Sequence, residues 1–143
     1  MAVERFVLDA SVALEWFLPG SREARHYAAA ILSGIERDEY TPAVPDFWHY
    51  EVASALLAAK RDKRMGAGKL KNAATRLAAL QPETLAIEMR VPEVIAAGLR
   101  FHLQGYDAVY FELARRLGVA IASVDGGIRT ACRIHKVRLL EAE

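Results

Sequence analysis

A parallel α/β fold, one sheet covered by helices on both faces, is the architecture this sequence predicts, and three observations predict it. Short apolar runs of strand length alternate with stretches of helical spacing from one end of the chain to the other, the order that a parallel sheet with helical crossovers requires. Two of those runs, Arg5-Phe6-Val7-Leu8 and Val119-Ala120-Ile121-Ala122, are followed at once or within a few residues by an aspartate. No repeat, linker or low-complexity tract interrupts the pattern, so residues 1–143 read as a single domain.

The elements follow in order. Arg5 to Leu8 is a buried strand ended by Asp9. Helical spacing at Val12, Leu14 and Trp16-Phe17 stops at Pro19-Gly20, and Ser21 can cap a second helix running to about Ser33-Gly34. Tyr40 to Val44 is a second strand. A long helix then runs from Pro45-Asp46 to about Arg64, with Asp46 as its N-cap. Met65-Gly66-Ala67-Gly68 breaks it, and another helix spans roughly Lys69 to Leu80. Thr84 to Ile87 is a weak strand, and Glu93 to His102 is helical. Asp107 to Leu117 is a strongly patterned helix closed by Gly118, where glycine accepts a left-handed backbone. Val119 to Ala122 is a strand, and a short helix and a last strand, Val137 to Leu140, finish the chain.

Composition narrows the function classes. Hydrophobic residues make up 53% and charged residues 26%, which describes a compact fold and excludes a disordered chain. No apolar run approaches the roughly 20 residues a membrane-spanning helix needs. The start, Met1 to Arg5, has no basic stretch leading into an apolar one, so no signal peptide is predicted. The single cysteine, Cys132, excludes an internal disulfide and a cysteine-based zinc site. A cytoplasmic protein without a membrane role is the expectation. With 19 basic and 18 acidic residues, any grip on nucleic acid must come from a local patch, a dimer surface or bound cations.

Four acidic residues stand out. In open parallel sheets reactive groups gather beyond the carboxyl ends of the strands. Asp9 and Asp125 follow strands in that way, and each has a hydroxyl two residues away, Ser11 and Ser123. A strand-end aspartate serves equally as a turn or cap residue. Glu51 shares its helix face with Phe47, Trp48, Ser54, Ala55 and Ala58, none of them charged. A glutamate there needs a cation, hydrogen bonds or a buried salt bridge to offset its desolvation. Asp107 opens its helix, where an N-cap role is favoured on its own account. If the four converge, carboxylates about 4 Å apart repel by roughly 4 kcal/mol at an effective dielectric of 20, so the cluster takes up protons or a cation. Hard oxygen donors select Mg²⁺ or Mn²⁺. Such ions support in-line displacement at a phosphodiester with no protein nucleophile.

These residues carry a resemblance. Val7-Leu8-Asp9-Ala10-Ser11-Val12-Ala13-Leu14 resembles the opening of bacterial PIN domains, above all those of VapC toxins. Glu51-Val52-Ala53-Ser54-Ala55-Leu56 resembles that family's second acidic motif, Tyr106-Asp107-Ala108-Val109-Tyr110 its third and Ser123-Val124-Asp125 its fourth. The resemblance covers nearly the whole chain, in order and at the family's spacing. It implies a three-layer α/β/α sandwich and a metal-dependent endoribonuclease, the toxin of a toxin–antitoxin pair. It also implies that Asp9, Glu51, Asp107 and Asp125 hold Mg²⁺ or Mn²⁺ or position the attacking water, oriented by Ser11 and Ser123. An RNA substrate, a cognate antitoxin and a homodimer follow from the same resemblance. Two positions depart from the family pattern. Ser54 replaces a common asparagine, and Gly126-Gly127 follows Asp125 where bulkier residues are usual, which predicts a looser loop there.

Other readings compete. A phosphatase of the haloacid-dehalogenase kind needs an aspartate two residues after its first, and this chain has Ser11. A non-catalytic PIN-like module that binds RNA or a partner is the alternative from a different class, but such a module has no evident need for four acidic positions. Lys60, Arg61, Lys63, Arg64, Lys69 and Lys71 form a basic cluster that serves either as an RNA track or as a solvated helix end. Arg115 and Arg116 are expected at the surface. Trp16, Phe17, Phe47, Trp48 and Tyr50 are expected in the core or an interface, and Cys132 in the core.

Overall fold

The structure is a computed structural model and describes residues 2–142. Four parallel strands form the sheet: β1 (Glu4–Leu8), β2 (Tyr40–Pro45), β3 (Glu83–Leu85) and β4 (Ala120–Ala122), in the spatial order β3-β2-β1-β4. The chain thus begins on an inner strand and builds outward to either side. Phe6, Val7 and Leu8 have no exposed surface, as a strand flanked on both edges and covered on both faces requires. Register places Phe6, Val7 and Leu8 opposite Ala120, Ile121 and Ala122, and Glu4 to Val7 opposite Tyr40 to Ala43. The Asp9 N–H donates to the Ala122 carbonyl at 3.0 Å, which carries the β1/β4 ladder one residue past the strand and brings Asp9 beside Ser123 at the carboxyl edge.

Among the described residues seven helices surround the sheet: α1 (Ala10–Glu15), α2 (Arg22–Glu36), α3 (Trp48–Arg61), α4 (Ala67–Leu80), α5 (Val91–Phe101), α6 (Gly105–Leu117) and α7 (Gly126–Ile134). Seven consecutive residues of α6, Ala108 to Ala114, are buried, so this helix is covered around its circumference rather than along one stripe. Tyr110 and Phe111 of that stretch are among the largest fully enclosed side chains. α4 and α5 lie further out, with Ala73 alone buried on one and Ala97 and Phe101 on the other. Gly118 ends α6 at φ 66°, the left-handed conformation expected for it. The predicted parallel sheet between helical layers is what the chain forms. No helix among the described residues is long and apolar enough to cross a membrane.

Several boundaries differ from the sequence reading. Asp46 does not cap α3. Its N–H donates to the Leu85 carbonyl at 3.0 Å, so backbone pairing with β3 holds it in the sheet, and Phe47 is the N-cap. The helix expected from Lys69 begins at Ala67, because Gly66 supplies the extended N-cap backbone. The Glu93 helix starts two residues earlier, at Val91, with the Glu93 carboxylate accepting from the Arg90 N–H at 2.6 Å. The predicted last strand, Val137 to Leu140, reduces to a single parallel bridge of Leu139 with Ile121. The Ile121 N–H reaches the Arg138 carbonyl and the Leu140 N–H reaches the Ile121 carbonyl, and the pairing goes no further.

Candidate active site

Each of the four acidic residues is placed by a different element. Asp9 sits between β1 and α1, Glu51 in the first turn of α3, Asp107 in the first turn of α6, and Asp125 between β4 and α7. The carboxyl ends of neighbouring strands and two helix starts therefore supply all four from distant parts of the chain.

Asp9 is 3% exposed and anchors a network of hydroxyls. Ser11 Oγ donates to Asp9 Oδ2 at 2.6 Å, and Ser123 Oγ donates to the same oxygen at 2.7 Å. The two serines also do backbone work: the Val124 N–H donates to Ser11 Oγ at 3.1 Å and the Asp125 N–H to Ser123 Oγ at 3.0 Å. Each hydroxyl thus receives one bond and gives one, which fixes its proton on Asp9. Arg129 donates from Nε to the Ser123 carbonyl at 2.8 Å and lies over the Tyr27 ring at 4.6 Å, holding the β4 end from below.

Glu51 meets none of the salt-bridge partners considered for it. Tyr110, fully buried on α6, donates its hydroxyl to Glu51 Oε1 at 2.7 Å. Phe47 packs its ring edge-on to Tyr110 at 5.2 Å and stacks on Tyr106 at 4.5 Å, closing an apolar wall beside the carboxylates. Asp107 is not the cap of α6. The helix begins at Gly105, Gln104 is its N-cap, and Asp107 lies in the third helical position. Asp125 does cap a helix, its Oδ2 accepting from the Ile128 N–H at 2.9 Å. The loop after it is not loose: Gly126 and Gly127 form the first turn of α7. A Cβ on Gly127 would stand 3.1 Å from Asp125 Oδ2, so the missing side chain leaves that carboxylate its room over the helix start.

Burial and mutual charge both act on the acidic residues. Burial pushes the Asp9 carboxyl up to about 6; the Ser11 and Ser123 hydroxyls work against that rise, and the charges of Glu51 and Asp125 add to it. Asp107, half-buried, is raised to about 7, first by desolvation and then by Asp125, Asp9 and Glu51. Burial and the Glu51 carboxylate hold the Tyr110 phenol well above its ordinary range, so it remains a donor. Among the described residues no three His, Cys, Asp or Glu side chains stand close enough to chelate an ion as oriented. The donor set nonetheless suits a hard divalent cation. Asp9, Glu51 and Asp125 each keep an oxygen free of these hydrogen bonds, and a cation would offset the burial and the repulsion that together raise Asp9 and Asp107.

Two features escaped the sequence reading. Tyr110 stood inside the third quoted motif without a role, because its partner lies 59 residues away. Arg115 and Arg116 are at the surface as expected, yet both grip the buried Glu112, at 2.5 and 3.1 Å. Trp48 is in the core, Tyr50 is 75% exposed, and Cys132 is half-buried rather than enclosed. The basic residues from Lys60 to Lys71 are all exposed.

A parallel α/β/α sandwich with Asp9 and Asp125 at the carboxyl ends of neighbouring strands defines the class of the molecule. The PIN domain family model matches residues 6–134, and the chain belongs to that family. No curated protein matches it. Among solved structures, it is similar to a protein from Pyrobaculum aerophilum at 21% identity and TM-score 0.66, over 92% of this chain and 81% of that one. It is similar to the VapBC2 complex from Rickettsia felis bound to a promoter DNA fragment, at 11% identity and TM-score 0.60, over 97% and 99% of the two chains. A toxin–antitoxin complex from Klebsiella pneumoniae resembles it at 18% identity and TM-score 0.53, over 84% and 86%. At these identities the likeness is one of fold.

Proposed function

We propose that this PIN domain is an Mg²⁺- or Mn²⁺-dependent endoribonuclease acting as the toxin of a toxin–antitoxin pair. One observation carries the reading: a buried Asp9, held by hydroxyls from two separate segments, carries the repulsion of Glu51 and Asp125 and shares it with Asp107. Carboxylates that are desolvated by burial and also repel one another destabilise the protein unless something positive belongs there. We assign Asp9, Glu51, Asp107 and Asp125 to the cation, with Ser11 and Ser123 orienting Asp9. When bound, a divalent cation polarises the phosphodiester and eases deprotonation of water. The chain's own part is to hold the carboxylates in place and to keep Asp9 away from bulk water.

RNA fits as substrate through the exposed basic run Lys60, Arg61, Lys63, Arg64, Lys69 and Lys71, which supplies the local charge that the overall balance of +1 lacks. An antitoxin fits the cleft of about 400 Å³ between α2 and α4, where Trp16, Phe17, Ile35 and Leu80 form an apolar floor and Arg76 stands among the lining residues. Similarity to structures described as toxin–antitoxin and VapBC complexes supports such a partner. A homodimer is supported by α5, which leaves Val91, Ile95 and Leu99 exposed at 71%, 57% and 74% on one stripe.

The test is incubation of the purified, partner-free protein with cellular RNA and Mg²⁺ or Mn²⁺, with EDTA and Asp9→Asn controls. Discrete cleavage lost in both controls is the expected result. Intact RNA from a folded protein under every metal condition would remove the catalytic reading.

A further inference from the structure

We propose that Tyr110 is a positioning residue for the cation site: its hydroxyl, 2.7 Å from Glu51 Oε1, holds the Glu51 carboxylate in the orientation that a divalent ion requires. This inference rests on the assignment of Glu51 to the cation.

Glu51 is a half-buried side chain on α3 with several rotatable bonds and, among the described residues, no cationic partner. Its capping value to α3 does not fix the carboxylate, because no side-chain cap bond forms at that end. What fixes it is the phenol. Tyr110 has no exposed surface, and its ring is set by Phe47 edge-on at 5.2 Å. The donor therefore comes from a part of the core that cannot swing away. With Oε1 turned to that donor, the plane of the carboxylate is set and Oε2 carries no hydrogen bond from the protein among the described residues.

The bland alternative is that a buried phenol simply needs an acceptor. Tyr27 shows how this fold meets that need elsewhere: its hydroxyl donates to a backbone carbonyl, that of Leu140, at 2.6 Å. Tyr110 instead uses a charged side chain of the proposed site. It stands one turn after Asp107 on α6, so the same helix carries one acidic residue directly and steers another that sits on α3. Outer partners of this kind hold metal ligands in place, and their loss weakens metal affinity by about 10–100-fold.

The experiment is Mn²⁺ titration by calorimetry of the wild-type protein, Tyr110→Phe, Glu51→Gln and the double variant, with thermal unfolding of each in EDTA. Tyr110→Phe keeps the ring and removes only the hydroxyl. The expected result is a roughly 10-fold weaker Kd for Tyr110→Phe, measured where the variant is fully folded, a modest fall in its unfolding midpoint in EDTA from the lost buried hydrogen bond, and no further loss of affinity when Tyr110→Phe is added to Glu51→Gln. Equal Mn²⁺ affinity of the wild type and Tyr110→Phe would overturn the inference while leaving the metal site standing. No Mn²⁺ binding by the wild type would overturn both. Should Tyr110→Phe fail to fold, ¹³C-tyrosine-labelled wild-type protein titrated with Mg²⁺ decides the matter. The Tyr110 Cζ resonance moves with the binding midpoint if the phenol steers a ligand, and an unmoved resonance at saturation overturns the inference.

Discussion

Ser123 and Asp9 lie 114 residues apart in the chain and are joined by a 2.7 Å hydrogen bond inside the buried end of the β1/β4 ladder. The bond counters the desolvation of Asp9, and Ser11 supplies a second one to the same oxygen. Ser123→Ala leaves Asp9 with one donor and the Asp125 N–H without its acceptor. Loss of a buried hydrogen bond should lower stability by about 1–2 kcal/mol, read by urea unfolding. It should also raise the Asp9 carboxyl further, so the acidic limb of the pH–activity profile moves to higher pH. An unshifted limb would sever the serine from the site.

The raised carboxyl groups make a statement about stability and pH. Asp9 at about 6 and Asp107 at about 7 bind protons in the folded state over a range where the unfolded chain has released them. Their protonated forms favour the fold, and that favour is lost as pH rises through the folded values. In EDTA the melting temperature should therefore fall between about pH 5 and pH 8, and saturating Mn²⁺ should restore it at pH 8. Glu112 works in the opposite sense. The Arg115 and Arg116 guanidinium groups hold its carboxyl below the usual value, so its contribution is lost only as pH falls below that range. A melting temperature higher at pH 8 than at pH 5 in EDTA would refute the electrostatic account.

Asp107→Asn separates stability from activity. Removing a charge that three other carboxylates oppose should raise the EDTA melting temperature by a few degrees, while cleavage falls by about 100-fold or more. A variant that is both less stable and fully active would place Asp107 outside the site.

Glu112→Gln provides the converse. Glu112 is 7% exposed and holds two arginines, so the amide should cost about 1–2 kcal/mol once the partial exposure of both guanidinium groups is allowed for. Cleavage by the folded fraction should be unchanged. The comparison matters because Glu112 is also a buried acid, 7% exposed against 3% for Asp9, and stands on the same helix as Asp107.

Leu99→Glu on the exposed stripe of α5 should shift the protein from dimer to monomer in light scattering, with the melting curve little altered because the side chain is 74% exposed in the single chain. A monomeric wild type would withdraw the α5 assignment.

The legible parts of this molecule were those written locally. The run Phe6-Val7-Leu8 followed by Asp9 declared a strand end, and Gly118 declared a helix end, because apolar patterning and backbone conformation act over a few residues. The uncharged face of Glu51 was equally plain, but its partner was not: a phenol on another helix answers it rather than an arginine. Asp46 and Asp107 each looked like a cap by composition. One is held in the sheet by Leu85, and the other lies inside a helix that starts at Gly105, both outcomes of tertiary pairing that local propensity does not contain. Gly126-Gly127 misled for the same reason, since the Asp125 carboxylate stabilises a helix start that two glycines alone disfavour.

The sheet order has a consequence for synthesis. β1 leaves the ribosome first but finds its β4 neighbour only when the last fifth of the chain has followed, and Asp9 gains its Ser123 partner at the same moment. A nascent or prematurely ended chain therefore holds the first acidic residue of the site without the wall that gives it meaning.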